Sequence, residues 1–103
     1  MTSKQALSLE KIKRWIEGLC YSAAYFVKDI RTYEKDSILF VDFTIGRNEK
    51  MGITRLFYQD GRVFVKTNGS IWFTTWSGNE KRLSETGINP LNRVVGPYHY
   101  PDK

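Results

Sequence analysis

The chain has 103 residues, of which 41% are hydrophobic, 26% charged and 15% aromatic, which fits one folded domain and leaves no room for a second. One Cys and one His exclude a disulfide scaffold, a zinc ribbon and most thiol- or imidazole-centred chemistry. The formal net charge of +5 favours anionic partners, nucleic acid or an acidic protein surface among them, and says nothing about fold.

The N-terminal third reads as one long amphipathic helix over about residues 3–31. Thr2-Ser3-Lys4-Gln5 has the form of a capping box, with Gln5 able to reach back to the cap. Leu9, Ile12, Ile16, Leu19, Ala23, Phe26 and Ile30 recur at alternating spacings of three and four, which builds one apolar stripe. Trp15, Cys20 and Val27 widen it. Tyr21 and Tyr25 fall on the polar side of this helix, where they are candidates for a protein contact, including a homodimer. Residues 1–9 are polar and lack an apolar leader core. The uncharged run at 18–27 is too short to span a bilayer. A cytoplasmic location without membrane contact is the expectation.

Residues 37–76 switch to period two and predict a four-stranded antiparallel meander, giving an α+β fold. The first strand covers 37–45 and the second 52–59. Asp60-Gly61 and Asn68-Gly69 both have the form of two-residue hairpin turns. Those turns place Phe57 opposite Phe64, Val65 opposite Trp72 and Phe64 opposite Phe73. A four-residue first loop at 47–50 places Asp42 opposite Arg55, an opposite-charge pair. One face then carries Leu39, Val41, Phe43, Ile45, Leu56, Tyr58, Val63, Val65 and Trp72, the expected core against the helix. The other carries an aromatic row, Phe40, Phe57, Phe64 and Phe73, rimmed by Arg55, Arg62 and Lys66. After Trp76 the expectation is a short helix ending at Gly87 or an extended tail. Pro90, Pro97 and Pro101 favour extension, with at most a short edge strand near Val94 and Val95.

No catalytic constellation, P-loop, dinucleotide fingerprint, nucleophile elbow or metal spacing occurs, so neither enzymatic activity nor a cofactor is expected. His99 reads as an ordinary tail residue and Cys20 as a small apolar one. Asp29, Glu34 and Asp36 are interleaved with Lys28, Arg31 and Lys35, which neutralise them as a metal site.

Three segments, Asp60-Gly-Arg-Val-Phe-Val-Lys-Thr-Asn-Gly-Ser70, Leu83-Ser-Glu-Thr-Gly-Ile88 and Val94-Val-Gly-Pro-Tyr-His-Tyr-Pro101, resemble the pattern of the XisI-like proteins. That resemblance covers about forty residues, while His- and Trp-rich central strands like that family's are absent here. It implies a helix-first antiparallel domain and a setting in the excision control of a mobile DNA element. From the residues themselves, the expected function is a small binding or regulatory protein. Its aromatic, basic sheet face suits single-stranded nucleic acid, since rings stack on bases and cations meet phosphates. The alternative is a regulator or inhibitor that binds a protein through aromatic and Arg contacts.

Overall fold

The computed structural model describes residues 1–23, 25–48, 56–75, 77–84, 89–95 and 98–99. Helix α1 (Ser3–Ala23) opens the chain and is followed by strands β1 (Tyr25–Lys35), β2 (Ile38–Asn48), β3 (Leu56–Val65), β4 (Ile71–Thr74) and β5 (Glu80–Arg82). A 3₁₀ turn (Pro90–Arg93) and a two-residue strand β6 (Tyr98–His99) complete the described part. The strands order β1-β2-β3-β4-β5, with β6 also on β3, and every described pairing is antiparallel. The fold is α+β, one helix laid on one antiparallel sheet, as the two hydrophobic periods predict.

The capping box forms as expected. Thr2 Oγ1 accepts from Gln5 N at 3.1 Å, and Gln5 Oε1 accepts from Thr2 N at 2.8 Å. Gln5 does more than cap. Its Nε2 donates to Ser37 O at 2.9 Å and to Val65 O at 3.1 Å, so one buried amide ties the helix start to two places in the sheet. Ser8 Oγ donates to Gly69 O. From there Ile12, Trp15, Ile16 and Leu19 carry the stripe onto Leu39, Val41, Phe43, Ile45, Val63, Val65, Ile71 and Phe73. Each large side chain so buried contributes roughly 1.5–3 kcal/mol.

The helix ends at Ala23, not near residue 31. Residues 25–33 hold Phe, Val, Ile, Thr and three aromatic rings in all, the composition that fits a pleated strand, and pairing with β2 satisfies the backbone groups on that side of the strand. Asp36 and Ser37 take φ of 53° and 65°, and Lys35 pairs with Ile38, the geometry of a two-residue type I′ hairpin. Phe26 and Ile30 are therefore strand residues, both exposed.

The expected hairpin at Asp60-Gly61 is not formed: β3 runs straight through both residues, with Asp60 paired to Thr44 and Gly61 to Phe43. Gly61 serves a different need. A Cβ there would collide with the Phe43 ring, which lies over the glycine backbone. Gly46 repeats the device on the opposite face under Phe26. The Asn68-Gly69 signal does mark a turn, and Gly69 has φ +86°. The loop has three residues, however: Lys66 N donates to Ser70 O, and the register is Val65 with Ile71 and Phe64 with Trp72. A three-residue loop ending in a left-handed glycine is a standard hairpin solution. The helix also crowds Gly69, where a Cβ would approach Lys4 Cβ to 3.0 Å.

That slip of one residue exchanges the faces of β4. Phe73 joins the buried core, while Trp72, expected there, pairs with Phe64 on the far side. Alternation along β3 likewise places Tyr58 on the far side, where Lys28 Nζ lies 4.0 Å from its ring centroid. Asp42 faces Arg62 and not Arg55; Arg55, like residues 49–55 as a whole, lies outside the described residues. Residues 80–82 are strand where a short helix was one expectation, and 85–87 lie outside the described residues. In the tail, Asn89 Oδ1 accepts from Leu91 N at 3.0 Å and Asn89 Nδ2 donates to Trp15 O. Leu91 is fully buried, and Val94 and Val95 pack against the same cluster. The described tail therefore closes the helix side of the sheet.

Candidate binding face on the sheet

The side of the sheet turned away from α1 is built by the even positions of β2 and β3. Tyr33 pairs with Phe40, Phe40 with Phe64, and Phe64 with Trp72, in unbroken register. One ring thus comes from each of four neighbouring strands, and Arg82 is the register partner of Trp72 on the fifth. Tyr33 and Phe40 stack with centroids 5.2 Å apart and planes 12° apart, and Phe40 and Phe64 follow at 6.1 Å and 39°. Cross-strand aromatic pairs of this kind stabilise a sheet by a few tenths to about 1 kcal/mol each. Tyr33, at the end of the row, remains 41% exposed, while Phe64 in the middle is 8% exposed.

Trp72 is held by a short relay. Its Nε1 donates to Ser70 Oγ at 2.7 Å, and Ser70 Oγ donates to Asn68 Oδ1 at 2.6 Å. The turn that sets the register of β4 therefore also orients the indole. Lys66 Nζ sits 4.1 Å from the Trp72 ring centroid and 3.7 Å from Glu80 Oε2. On the other flank, Arg62 grips Asp42 with two bonds, Nε to Oδ1 at 2.6 Å and Nη2 to Oδ2 at 2.9 Å. Asp42 raises the Arg62 pKa by that bond and, less, by its charge, so the guanidinium is cationic under all conditions. Tyr33 Oη reaches the same carboxylate at 3.5 Å. Arg31 is the register partner of Asp42 on β1, so Arg31, Asp42 and Arg62 form a row with two cations to one anion. Two residues further along, Asp29, Thr44 and Asp60 form the next row, and Thr44 Oγ1 donates to Asp60 Oδ1 at 2.8 Å. The basic zone is bounded there by acid.

Of the aromatic row expected from the sequence, the structure brings Phe40 and Phe64 together and separates Phe73, which faces the helix. Phe57 pairs through its backbone with Arg47; its side chain lies outside the described residues, as does Arg55. Arg62 and Lys66 flank the rings as expected. Tyr33, Trp72 and Arg31 were missed. The signals for them were the aromatic and β-branched content of 25–33 and the option of a three-residue loop at 67–69. Tyr21 and Tyr25 do not share a helix face. Tyr21 is 95% exposed near the end of α1, whereas Tyr25 begins β1 and packs partly against the core.

Cys20 is half-buried. Burial, with a smaller contribution from Glu17, pushes its thiol pKa up, which makes it a poor nucleophile at neutral pH. Among the described residues no group of three or more His, Cys, Asp or Glu could hold a metal ion, and no helix is long and apolar enough to cross a membrane. No family model, curated protein or solved structure matches the chain.

Proposed function

We propose that the chain is a small binding protein that takes single-stranded nucleic acid on the outward face of its sheet. The observation that carries this reading is the row Tyr33, Phe40, Phe64 and Trp72 between flanks that hold Arg31, Arg62 and Lys66. Bases stack on aromatic side chains with about 1–3 kcal/mol each, largely without regard to sequence, and neighbouring cations follow the phosphates. Lys66 over Trp72 fits such an exchange, because a base arriving on the indole displaces the ammonium toward a phosphate. Single strands suit a sheet face better than duplex, whose bases are already stacked. The mobile-element setting implied by the XisI-like pattern is compatible with a regulator of this kind.

The test is a tryptophan-fluorescence titration with a short unstructured oligonucleotide. Binding should weaken with salt, by about 0.7 log units per log unit of salt for each phosphate neutralised. Replacing Arg31, Arg62 and Lys66 together by Gln should lower affinity and flatten that slope. Absence of binding at low salt overturns the reading and leaves the face to an acidic protein surface, for which aromatic and Arg side chains are equally apt.

A further inference from the structure

Strand β1 is the edge of the sheet, and among the described residues it pairs with β2 alone. It is also long, 11 residues, with every residue after Tyr25 exposed. Its helix-side positions are as open as its outward ones: Ile30 is 36% exposed and Val27 40%, because α1 buries its stripe on β2, β3 and β4. Two contacts tie the strand to the helix side, Tyr25 packing partly against the core and Glu34 Oε1 meeting the Met1 ammonium at 2.6 Å, and neither covers the outer edge. An edge of this length presents a row of backbone groups ready to pair with another strand, and folded proteins ordinarily blunt it with proline, bulges or charge. Here one bulge interrupts the strand between Val27 and Asp29, and residues 29–35 beyond it are regular and free of proline.

We propose that β1 is a homodimer interface, in which residues 29–35 of two copies pair antiparallel about a two-fold axis at Thr32. The choice of a second copy rests on charge complementarity. With Thr32 opposite its own counterpart, Asp29 meets Lys35 of the other copy, Ile30 meets Glu34, and Arg31 meets Tyr33. Each pair occurs twice. The register thus supplies two opposite-charge pairs, two cation-on-ring pairs and a Thr–Thr pair, all favourable cross-strand partners. Neighbouring registers fail. An axis at Arg31 sets Arg31 against itself, an axis at Tyr33 sets Arg31 against Lys35, and an axis at Ile30 runs the pairing into the bulge at Lys28. Lysine on an edge ordinarily repels a second strand; Lys35 here is the complement of Asp29. The intramolecular Asp29–Arg31 contact is loose, 3.5 Å between half-exposed groups, and does not compete strongly. Pairing in this register continues the sheet through both copies with both outward faces on one side. The proposal does not depend on what those faces bind.

Sedimentation equilibrium over a micromolar-to-millimolar series tests it on the whole chain. The wild type should show reversible association to twice the 12.0 kDa monomer mass. Asp29→Lys and Lys35→Asp each set like charges opposite one another twice and should weaken association by roughly tenfold or more. The double variant restores complementarity and should restore the dimer. Both positions are exposed in the monomer, and circular dichroism melts check that each of the three variants folds. Amide exchange gives a second readout, with protection within 29–35 rising with protein concentration. A wild type that stays monomeric overturns the proposal and leaves the edge to a strand of a different protein. A dimer indifferent to the single reversals, or not rescued by the double, overturns it as well.

Discussion

The two faces of this sheet use the same strands to opposite ends. Over β2 and β3 the helix side is largely aliphatic and closed: Val41, Ile45, Val63 and Val65 are fully buried, with Phe43 and Leu39 nearly so. The outward side is aromatic and ionic, and its rings run from 8% exposed at Phe64 to 41% at Tyr33. Identical backbone spacing produces both, because successive side chains of a strand alternate in direction. What differs is the partner across the face. A helix laid over a strand excludes water, so every methylene there contributes to stability; a face without a helix keeps its rings only through neighbours in the sheet. Packing and recognition can therefore change independently.

Adjacent residues of β4 put that contrast to its sharpest test. Phe73→Ala removes a ring from the closed core and should cost roughly 3–5 kcal/mol. Trp72→Ala removes a larger ring from the outward side and should cost only about 1–2 kcal/mol. Denaturant midpoints decide it, and a larger loss for Trp72 would mean that the faces of β4 are the reverse of those described. The two covered glycines form the next pair. Phe43 above Gly61 is 1% exposed and has nowhere to go, so Gly61→Ala should cost about 2–3 kcal/mol through overpacking. Phe26 above Gly46 is 39% exposed and can swing aside, so Gly46→Ala should cost about 1 kcal/mol or less. Equal losses in thermal melts would break the comparison. On the closed side, Gln5→Ala deprives Ser37 O and Val65 O of their donor and removes half the capping box; about 2 kcal/mol should be lost. The smallest stability effect belongs to Tyr33→Ala, within about 1 kcal/mol, yet oligonucleotide affinity should fall by the roughly 1–3 kcal/mol of a stacked ring. A variant that binds unchanged would remove Tyr33 from the site.

Much of this architecture was legible in residue order, and the exceptions have physical causes. The alternation of Leu39, Val41, Phe43 and Ile45 named the core face of β2 correctly, and the same parity placed Phe40 outward. Val63 and Val65 keep to the core face although no hairpin forms at Asp60-Gly61, since period two does not depend on where the chain turns. The two Gly signals show where local reading fails. Asp60-Gly61 and Asn68-Gly69 look alike as dipeptides. One marks a left-handed turn beneath Lys4; the other marks a close approach of the Phe43 ring inside a continuous strand. Only the side chain lying across each glycine distinguishes them. The helix boundary failed similarly. Phe26 and Ile30 continue the spacing of the helical stripe by coincidence, while pairing with β2 supplies a better home for the β-branched and aromatic run that contains them.

By itself the sequence determined a capped N-terminal helix, an antiparallel sheet beneath it, and part of the aromatic and cationic surface, namely Phe40, Phe64, Arg62 and Lys66. Those are consequences of period and side-chain chemistry, which act over a few neighbouring residues. Which ring stands beside which was decided by the tertiary structure. The three-residue loop at Asn68-Gly69 moved Trp72 outward and Phe73 inward, and the type I′ turn at Asp36-Ser37 brought Tyr33 against Phe40. In a sheet one residue of slip inverts a face, so the surface this protein presents depends on turn geometry and cross-strand fit, interactions between residues that the chain keeps apart until it folds.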